Sequence, residues 1–426
     1  MSSAEAPISL NPLRLNKAPA SLHIAMALIA IVTISPSMRT GATTIGPLMD
    51  DITRAFGTGA WAAGLLAALP CLTFAIFGLC AVPLAQKIGL SGAIAISAGI
   101  SVIGLAARPF APEIWSFLAL SACAMVGPAV GNVLVPAWIK EYAPFRAVLL
   151  LSVFGTIMPI GATMGAAVSV PLTHVVGSWH ISLALWAIPA ALPLVVWTFL
   201  ALRIGVDRPS RHPGGHNGGD HANASVVRRS LWHAPTAVLL TCLFGTQSAN
   251  AYVQMGFLPQ VLVSQGYDAQ TAGALASLVN APGILGGLIM PLVVAKARHL
   301  PLIGLSFGVI TAAGWIGLNL APQIAVLWAF LLGLGGFCFP MIIALLPART
   351  RSAEMTARLS GMVQPWGYVF AAFGPVIIGV VLDMTGSMST ILWLMTASAG
   401  IMMVLAYFAA RPTVVDDEVA GVSAPA

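Results

Sequence analysis

Long apolar runs recur along almost the whole chain and constrain its fold more than any other feature. A helix that crosses a bilayer needs about 20 mostly apolar residues, and the 426-residue sequence holds twelve such stretches. The predicted spans are residues 21–48, 59–84, 88–108, 113–138, 146–171, 179–203, 232–263, 269–295, 300–320, 323–346, 356–382 and 387–410. The sequence therefore predicts an all-α integral membrane protein with twelve transmembrane helices.

The composition excludes a soluble protein. Only 8% of the residues are charged and 58% are hydrophobic, whereas soluble domains carry about 25% charged residues. The 42 glycines and 30 prolines are tolerated in membrane helices. All five cysteines lie in apolar runs without a Cys-x-x-Cys pair, so we interpret them as small buried side chains and expect no metal and no cofactor. The net charge of +6 is scattered over many loops, so we expect no nucleic-acid partner.

One long polar segment divides the chain. It contains His212, His216, Asp220 and His221 among glycines, and we interpret it as a solvated linker rather than a metal site. We expect no cleaved signal peptide at the polar N-terminus. The predicted parts are an N-terminal tail 1–20, a six-helix bundle 21–203, the linker 204–231, a second six-helix bundle 232–410 and a C-terminal tail 411–426.

The basic residues predict the orientation. With a cytoplasmic N-terminus, all of the 19 Lys and Arg residues except Arg39, Arg54 and Arg108 fall on the cytoplasmic side. Arg54 and Arg108 then lie in outer loops or at outer helix ends. Since Lys and Arg concentrate on the cytoplasmic side of membrane proteins, the tails 1–20 and 411–426 and the linker are all predicted to be cytoplasmic.

The two halves of the chain repeat. Residues 63–69 match 272–278, and residues 115–120 match 328–333, at offsets of 209 and 213 residues. Two parallel six-helix repeats joined by a cytoplasmic linker are the plan of the major facilitator superfamily. This plan favours a transporter over a channel or a membrane enzyme, and the spans offer no clustered acids and no nucleophile with a base.

Four stretches resemble the cyanate/2-nitroimidazole permease branch of that superfamily. They are Met38-Arg39-Thr40 with Gly46-Pro47-Leu48, Gly131-Asn132-Val133-Leu134-Val135-Pro136, Gly245-Thr246-Gln247-Ser248 with Tyr252 and Pro259, and Leu359-Ser360-Gly361-Met362-Val363-Gln364-Pro365-Trp366-Gly367-Tyr368. Thr40 replaces the proline usual in the branch, and Phe257 stands where tryptophan is common. The resemblance implies transport of small anionic or polar planar compounds, and we expect a bacterial inner membrane location.

Arg39 is the sharpest candidate for a site residue. It falls inside the first predicted span, where a guanidinium costs from about 3 to more than 10 kcal/mol. No acidic residue lies in the middle of a span, and Asp383 sits at the outer end of span eleven. An uncompensated cation with a planar fork of donors suits a small planar anion. The alternative is that Arg39 has a structural role, in which its guanidinium donates to exposed carbonyls of a broken helix.

Five further polar residues are candidates for substrate binding. Tyr252 is placed opposite Arg39 by the internal repeat, on the same span as Gln247, while Gln364 and Tyr368 share one helix face. Asn132 lies between prolines in the fourth span and either contacts substrate or supports that helix.

The sequence leaves two functions open. The first is a secondary transporter that carries a small anion past Arg39 by alternating access. The second is an efflux transporter for amphipathic or nitroaromatic compounds, in which Arg39 is structural. The expected partners in both cases are a small-molecule substrate and the lipid bilayer, with the protein as a monomer.

Overall fold

The computed structural model describes residues 24–207, 230–351 and 353–420. The predictions for the tail 1–20, for the histidine-rich part of the linker (His212, His216, Asp220 and His221) and for residues 421–426 lie outside these ranges. The predicted domain boundaries stay predictions.

Twelve long helices run through the described residues, and the predicted fold is confirmed. They are α1 Ile24–Ala55, α2 Ala60–Ile88, α3 Leu90–Phe110, α4 Ile114–Tyr142, α5 Ala147–Val176, α6 Trp179–Ile204, α7 Pro235–Ser264, α8 Ala269–Lys296, α9 Leu300–Leu320, α10 Pro322–Ala348, α11 Ala353–Thr385 and α12 Met388–Ala409. Eleven are long and apolar enough to cross a membrane. The twelfth, α7, is equally long, but it carries polar residues such as Gln247, Asn250 and Gln254 along its centre.

Several helices are broken, and two of the breaks follow the internal repeat. In the first half, α4 is interrupted at Met125. In the second half, α10 is interrupted at Gly336 and Phe337, the corresponding place. The regular part of α1 ends at Thr43, four residues before Pro47, which has no N–H to donate to the Thr43 carbonyl. A 3₁₀ turn and the short helix Met49–Ala55 complete α1.

The two halves share an apolar core at the end of the molecule opposite the linker, and a second cluster joins part of α2 to the second half. We call this end the closed end, and the other the linker end. The shared core joins residues of α1 and α2, such as Leu48 and Leu66, to residues of α7 and α8, such as Phe257 and Leu275. A separate core lies within the first half at the linker end. The halves are therefore packed most tightly against each other at the closed end.

Side chains reinforce the closed end. Asp383 of α11 accepts hydrogen bonds from the first two amides of α2, Ala60 at 2.6 Å and Trp61 at 2.7 Å. Gln260 of α7 donates to Asp50 at 2.5 Å. The sequence placed Asp383 in an interfacial position, and the structure adds that it caps a helix of the other half.

The linker end carries bonds within each half. Asp207 accepts from the backbone and hydroxyl of Ser91 and from Tyr142, tying α3 to α4. In the second half a short helix α13, Val415–Ala420, follows α12, and its Glu418 accepts from the Thr236 amide at the start of α7. The described part of the predicted C-terminal tail therefore packs back onto its own bundle.

Candidate functional site

Arg39 lies in the last turns of the regular part of α1, at the contact between the halves. Its Nη1 donates to the hydroxyl of Tyr252 on α7 at 3.0 Å. The two residues are 213 positions apart, one of the offsets of the internal repeat. Arg39 is half-buried, whereas the Tyr252 side chain is buried. Symmetry in the sequence thus becomes a direct contact across the two halves.

Aromatic rings flank the guanidinium. The Phe74 ring on α2 lies with its centroid 5.7 Å from Cζ of Arg39, within cation–π range. Phe74 also packs edge-on against Tyr368 of α11, with centroids 5.3 Å apart. We call Arg39, Phe74, Tyr252 and Tyr368 the Arg39 cluster. It brings α1, α2, α7 and α11 together at one point.

The Arg39 cluster contains one charge and no counter-ion. Two ion pairs of the described residues, Arg54 with Asp51 and Arg351 with Asp417, lie away from the cluster. Asp383 is engaged with the amides of α2. A guanidinium has five N–H donors, and the protein groups that meet Arg39 are the neutral hydroxyl of Tyr252 and the ring of Phe74. The remaining donors are available to an anion.

The other predicted residues are not brought into the cluster. In the part of the chain that the structure describes, no hydrogen bond or ring contact links Asn132 or Gln247 to Arg39. Gln364 donates to Ser360 on its own helix at 2.7 Å. Only one of the two residues of the Gln364–Tyr368 face belongs to the cluster: Tyr368 packs against Phe74, whereas Gln364 bonds along α11.

Two cluster neighbours were missed by the sequence. Phe74 was not singled out, and neither was Cys71, which lies one turn before Phe74 on α2 and is fully buried. Both belong to an apolar helix that the sequence reads only as a span. Their i, i+3 spacing puts them on one face, but nothing in the sequence says that this face meets Arg39.

Arg108 lies at the end of α3, as predicted, and the structure adds that its side chain is 0% exposed. The described residues therefore contain a fully buried arginine besides the half-buried Arg39.

A family model supports what the fold indicates. Residues 31–375 match the model described as Major Facilitator Superfamily. The chain belongs to the major facilitator superfamily. It is thus a membrane transporter with many spans, not an enzyme.

Relatives and solved structures agree with this assignment. The chain is 30% identical to a 2-nitroimidazole transporter of Escherichia coli (strain K12) over 84% of this chain and 88% of the relative. It is 27% identical to a cyanate transport protein of the same organism, covering 84% and 91%. The fold is also similar to a crystal structure of a bacterial homologue of the human lysosomal transporter Spinster, in an inward-facing and occupied conformation. The TM-score is 0.71 at 16% identity, covering 92% and 98% of the two chains.

Proposed function

We propose that this transporter moves a small anionic or polar planar solute across the membrane by alternating access, with Arg39 as the anion-binding residue. The observation that carries the proposal is the uncompensated guanidinium of Arg39 at the contact between the halves. A charge enclosed in a membrane protein is costly unless it is paired. In the described residues its partners are neutral, so the counter-charge is supplied by the solute.

The surroundings of Arg39 favour a flat solute. The guanidinium presents its donors in one plane, which suits carboxylate-like anions. Phe74 and Tyr368 add aromatic faces and edges beside it, against which a planar group can pack. The relatives named for 2-nitroimidazole and cyanate support this solute class for the present chain.

Alternating access accounts for the position of the cluster. Residues at the contact between two repeats are exposed to one side and then the other when the halves rock against each other. The halves are joined at the closed end in this conformation. We infer from the distribution of basic residues that both termini are cytoplasmic, so the closed end faces outward. The bacterial inner membrane is the proposed location, and a monomer the proposed state.

The coupling mode stays open among three alternatives. Asp and Glu residues among the described residues lie at helix ends or in loops, as Asp50, Glu113, Glu141 and Asp268 illustrate. A mid-span carboxylate relay is therefore not offered by this part of the chain. Protons that travel with the substrate, exchange of one anion for another, and downhill transport each fit the Arg39 cluster.

The test is a ligand screen followed by transport. Purified protein is screened by thermal shift against cyanate, nitrite, acetate and benzoate, because a ligand that binds the native state raises its stability. We expect a hit whose affinity falls by about 10- to 100-fold in Arg39→Ala, as expected for a lost charged hydrogen bond. Arg39→Lys should weaken binding less.

The control variant is Arg54→Ala, which removes an exposed arginine paired with Asp51 at the closed end. It should bind and transport the hit as the wild type does. If Arg39→Ala and Arg39→Lys both show wild-type counterflow of the hit in reconstituted vesicles, Arg39 is not the anion-binding residue.

A second candidate function is efflux of amphipathic or nitroaromatic compounds. The rings of Phe74, Tyr252 and Tyr368 around Arg39 favour it, since aromatic walls also bind uncharged planar molecules. In this case Arg39→Ala vesicles should transport 2-nitroimidazole at the wild-type rate, and none of the four anions should raise the melting temperature.

A further inference from the structure

The regular helix of α1 ends two residues after Gly41, and the break leaves the Gly41 carbonyl without a backbone donor. The Thr44 amide still bonds to the Thr40 carbonyl at 3.1 Å, but the Ile45 amide turns to Ala42 at 3.4 Å. The Gly41 carbonyl accepts instead from the Thr44 hydroxyl at 3.3 Å. This carbonyl lies two residues beyond Arg39, so the break lies directly after the helical turn that carries Arg39.

Arg108 of α3 fills the break. Its Nη1 donates to the Gly41 carbonyl at 3.1 Å, and its Nη2 donates to Oγ1 of Thr44 at 3.0 Å. The side chain is fully buried, and its Nε has no partner. No carboxylate of the described residues forms an ion pair with it. The compensation comes from the C-terminal end of a helix, where the dipole is negative.

The second half of the molecule provides an internal comparison. Pro259 in α7 corresponds to Pro47 in α1, yet α7 continues through Pro259 to Ser264 as one helix. At the repeat offsets of 209 to 213, Arg108 corresponds to the segment 317–321, which comprises the end of α9 and the residue after it and contains no arginine. The half that carries the substrate-binding cation thus has both the broken helix and the buried arginine. The other half has neither.

Burying an arginine side chain costs desolvation free energy that an apolar side chain does not. Replacing a buried charge with an apolar side chain of similar size is often neutral or stabilising, and the corresponding segment 317–321 carries no charge. Arg108 contacts the broken segment and nothing else by hydrogen bond. Its charge therefore acts on the place where α1 ends rather than on general stability.

We propose that Arg108 is a positioning residue that ends α1 just beyond Arg39 and thereby sets where the Arg39 guanidinium is presented between the halves. The inference rests on the proposed role of Arg39 in anion binding. Arg108 does not contact the solute and acts through the Gly41–Thr44 segment.

The test compares Arg108→Lys and Arg108→Leu with the wild type, using benzoate and cyanate as probes. We expect Arg108→Leu to weaken probe binding by about tenfold, within the range of coupled neighbouring residues. Arg108→Lys keeps the charge but lacks the planar guanidinium that donates to two acceptors. Its affinity for the probes should therefore lie between that of the wild type and that of Arg108→Leu. In an Arg39→Lys background, Arg108→Leu should lower probe affinity little further, because both substitutions act through the side chain at position 39.

The matched control is Arg349→Leu. Arg349 also donates to a helix-end carbonyl, that of Ala410 at 2.7 Å, and has a buried Nε without a partner, but it lies at the linker end of the second half. Arg349→Leu should lower the melting temperature of the protein without changing its affinity for the probes.

The outcomes separate the two proposals. Unchanged affinity in both Arg39→Ala and Arg39→Lys overturns the proposed function. A loss in Arg39→Lys combined with wild-type affinity in Arg108→Lys, or with additive losses in the double variant, overturns the positioning role alone. If Arg108→Leu does not fold, Arg108→Lys and its double variant with Arg39→Lys decide the matter.

Discussion

Arg39 keeps its charge in an apolar helix because its neighbours solvate it without neutralising it. Tyr252 accepts one hydrogen bond, and Phe74 faces the guanidinium from α2. Neither contact removes the positive charge, as a carboxylate would. The residue is therefore held in place while its attraction for an anion is preserved.

Removing the Tyr252 hydroxyl tests this arrangement. Tyr252→Phe should weaken anion binding by about 1 kcal/mol, or roughly fivefold, because the guanidinium loses a fixed acceptor. The dissociation constant for the screened anion, measured by titration calorimetry, reports the effect. Tyr267→Phe is the control, since its hydroxyl donates to the Pro322 carbonyl within the second half. Equal affinities in Tyr252→Phe and the wild type would show that the hydroxyl does not hold Arg39 in its binding position.

At the scale of helices, α2 and α11 approach each other through glycine. A Cβ on Gly379 would lie 3.0 Å from Cα of Gly64, closer than side chains pack. This contact lies near the closed end, where Asp383 of α11 reaches the first turn of α2. Close packing of the two helices therefore depends on the absence of side chains at both positions.

Gly379→Val should destabilise the closed end, because overpacking costs about 1–3 kcal/mol. The measurement is the maleimide-labelling rate of a cysteine at Ala67, which is buried near the α2–α7 contact, in a protein whose native cysteines are replaced. Labelling should be faster than in the parent. Gly361→Val on the same helix is the control, because a Cβ there meets no atom within 4 Å. Equal labelling of all three proteins would mean that the glycine contact does not hold the end closed.

The whole molecule is joined asymmetrically along its length. Hydrogen bonds of Asp383 and Asp50 join the halves at the closed end, and the bond of Arg39 with Tyr252 joins them farther along the molecule. Opening the closed end requires Asp383 to leave the α2 amides. A carboxylate at a helix N-terminus is favoured by the helix dipole, so its charge stabilises the closed conformation.

Asp383→Asn should shift the molecule towards opening at this end. The loss is about 0.3–1 kcal/mol, or roughly two- to fivefold in population, because the amide still accepts hydrogen bonds but carries no charge. Faster labelling of the Ala67 cysteine would register the shift. Asp268→Asn serves as the control, since Asp268 caps α8 by accepting from Thr271 within one half. A labelling rate that changes as much in Asp268→Asn as in Asp383→Asn would show that Asp383 does not specifically stabilise the closed end.

The sequence by itself determined the twelve-helix fold, the repeat and the family, because spanning segments must be long and apolar and repeats leave matching residues. It also placed Tyr252 opposite Arg39, since the repeat maps α1 onto α7. Only the tertiary structure decided that Phe74 faces Arg39, that Asp383 caps α2 and that Arg108 is enclosed at the α1 break. The physical reason is that an apolar helix has no amphipathic pattern, so its sequence does not reveal which face meets which neighbour.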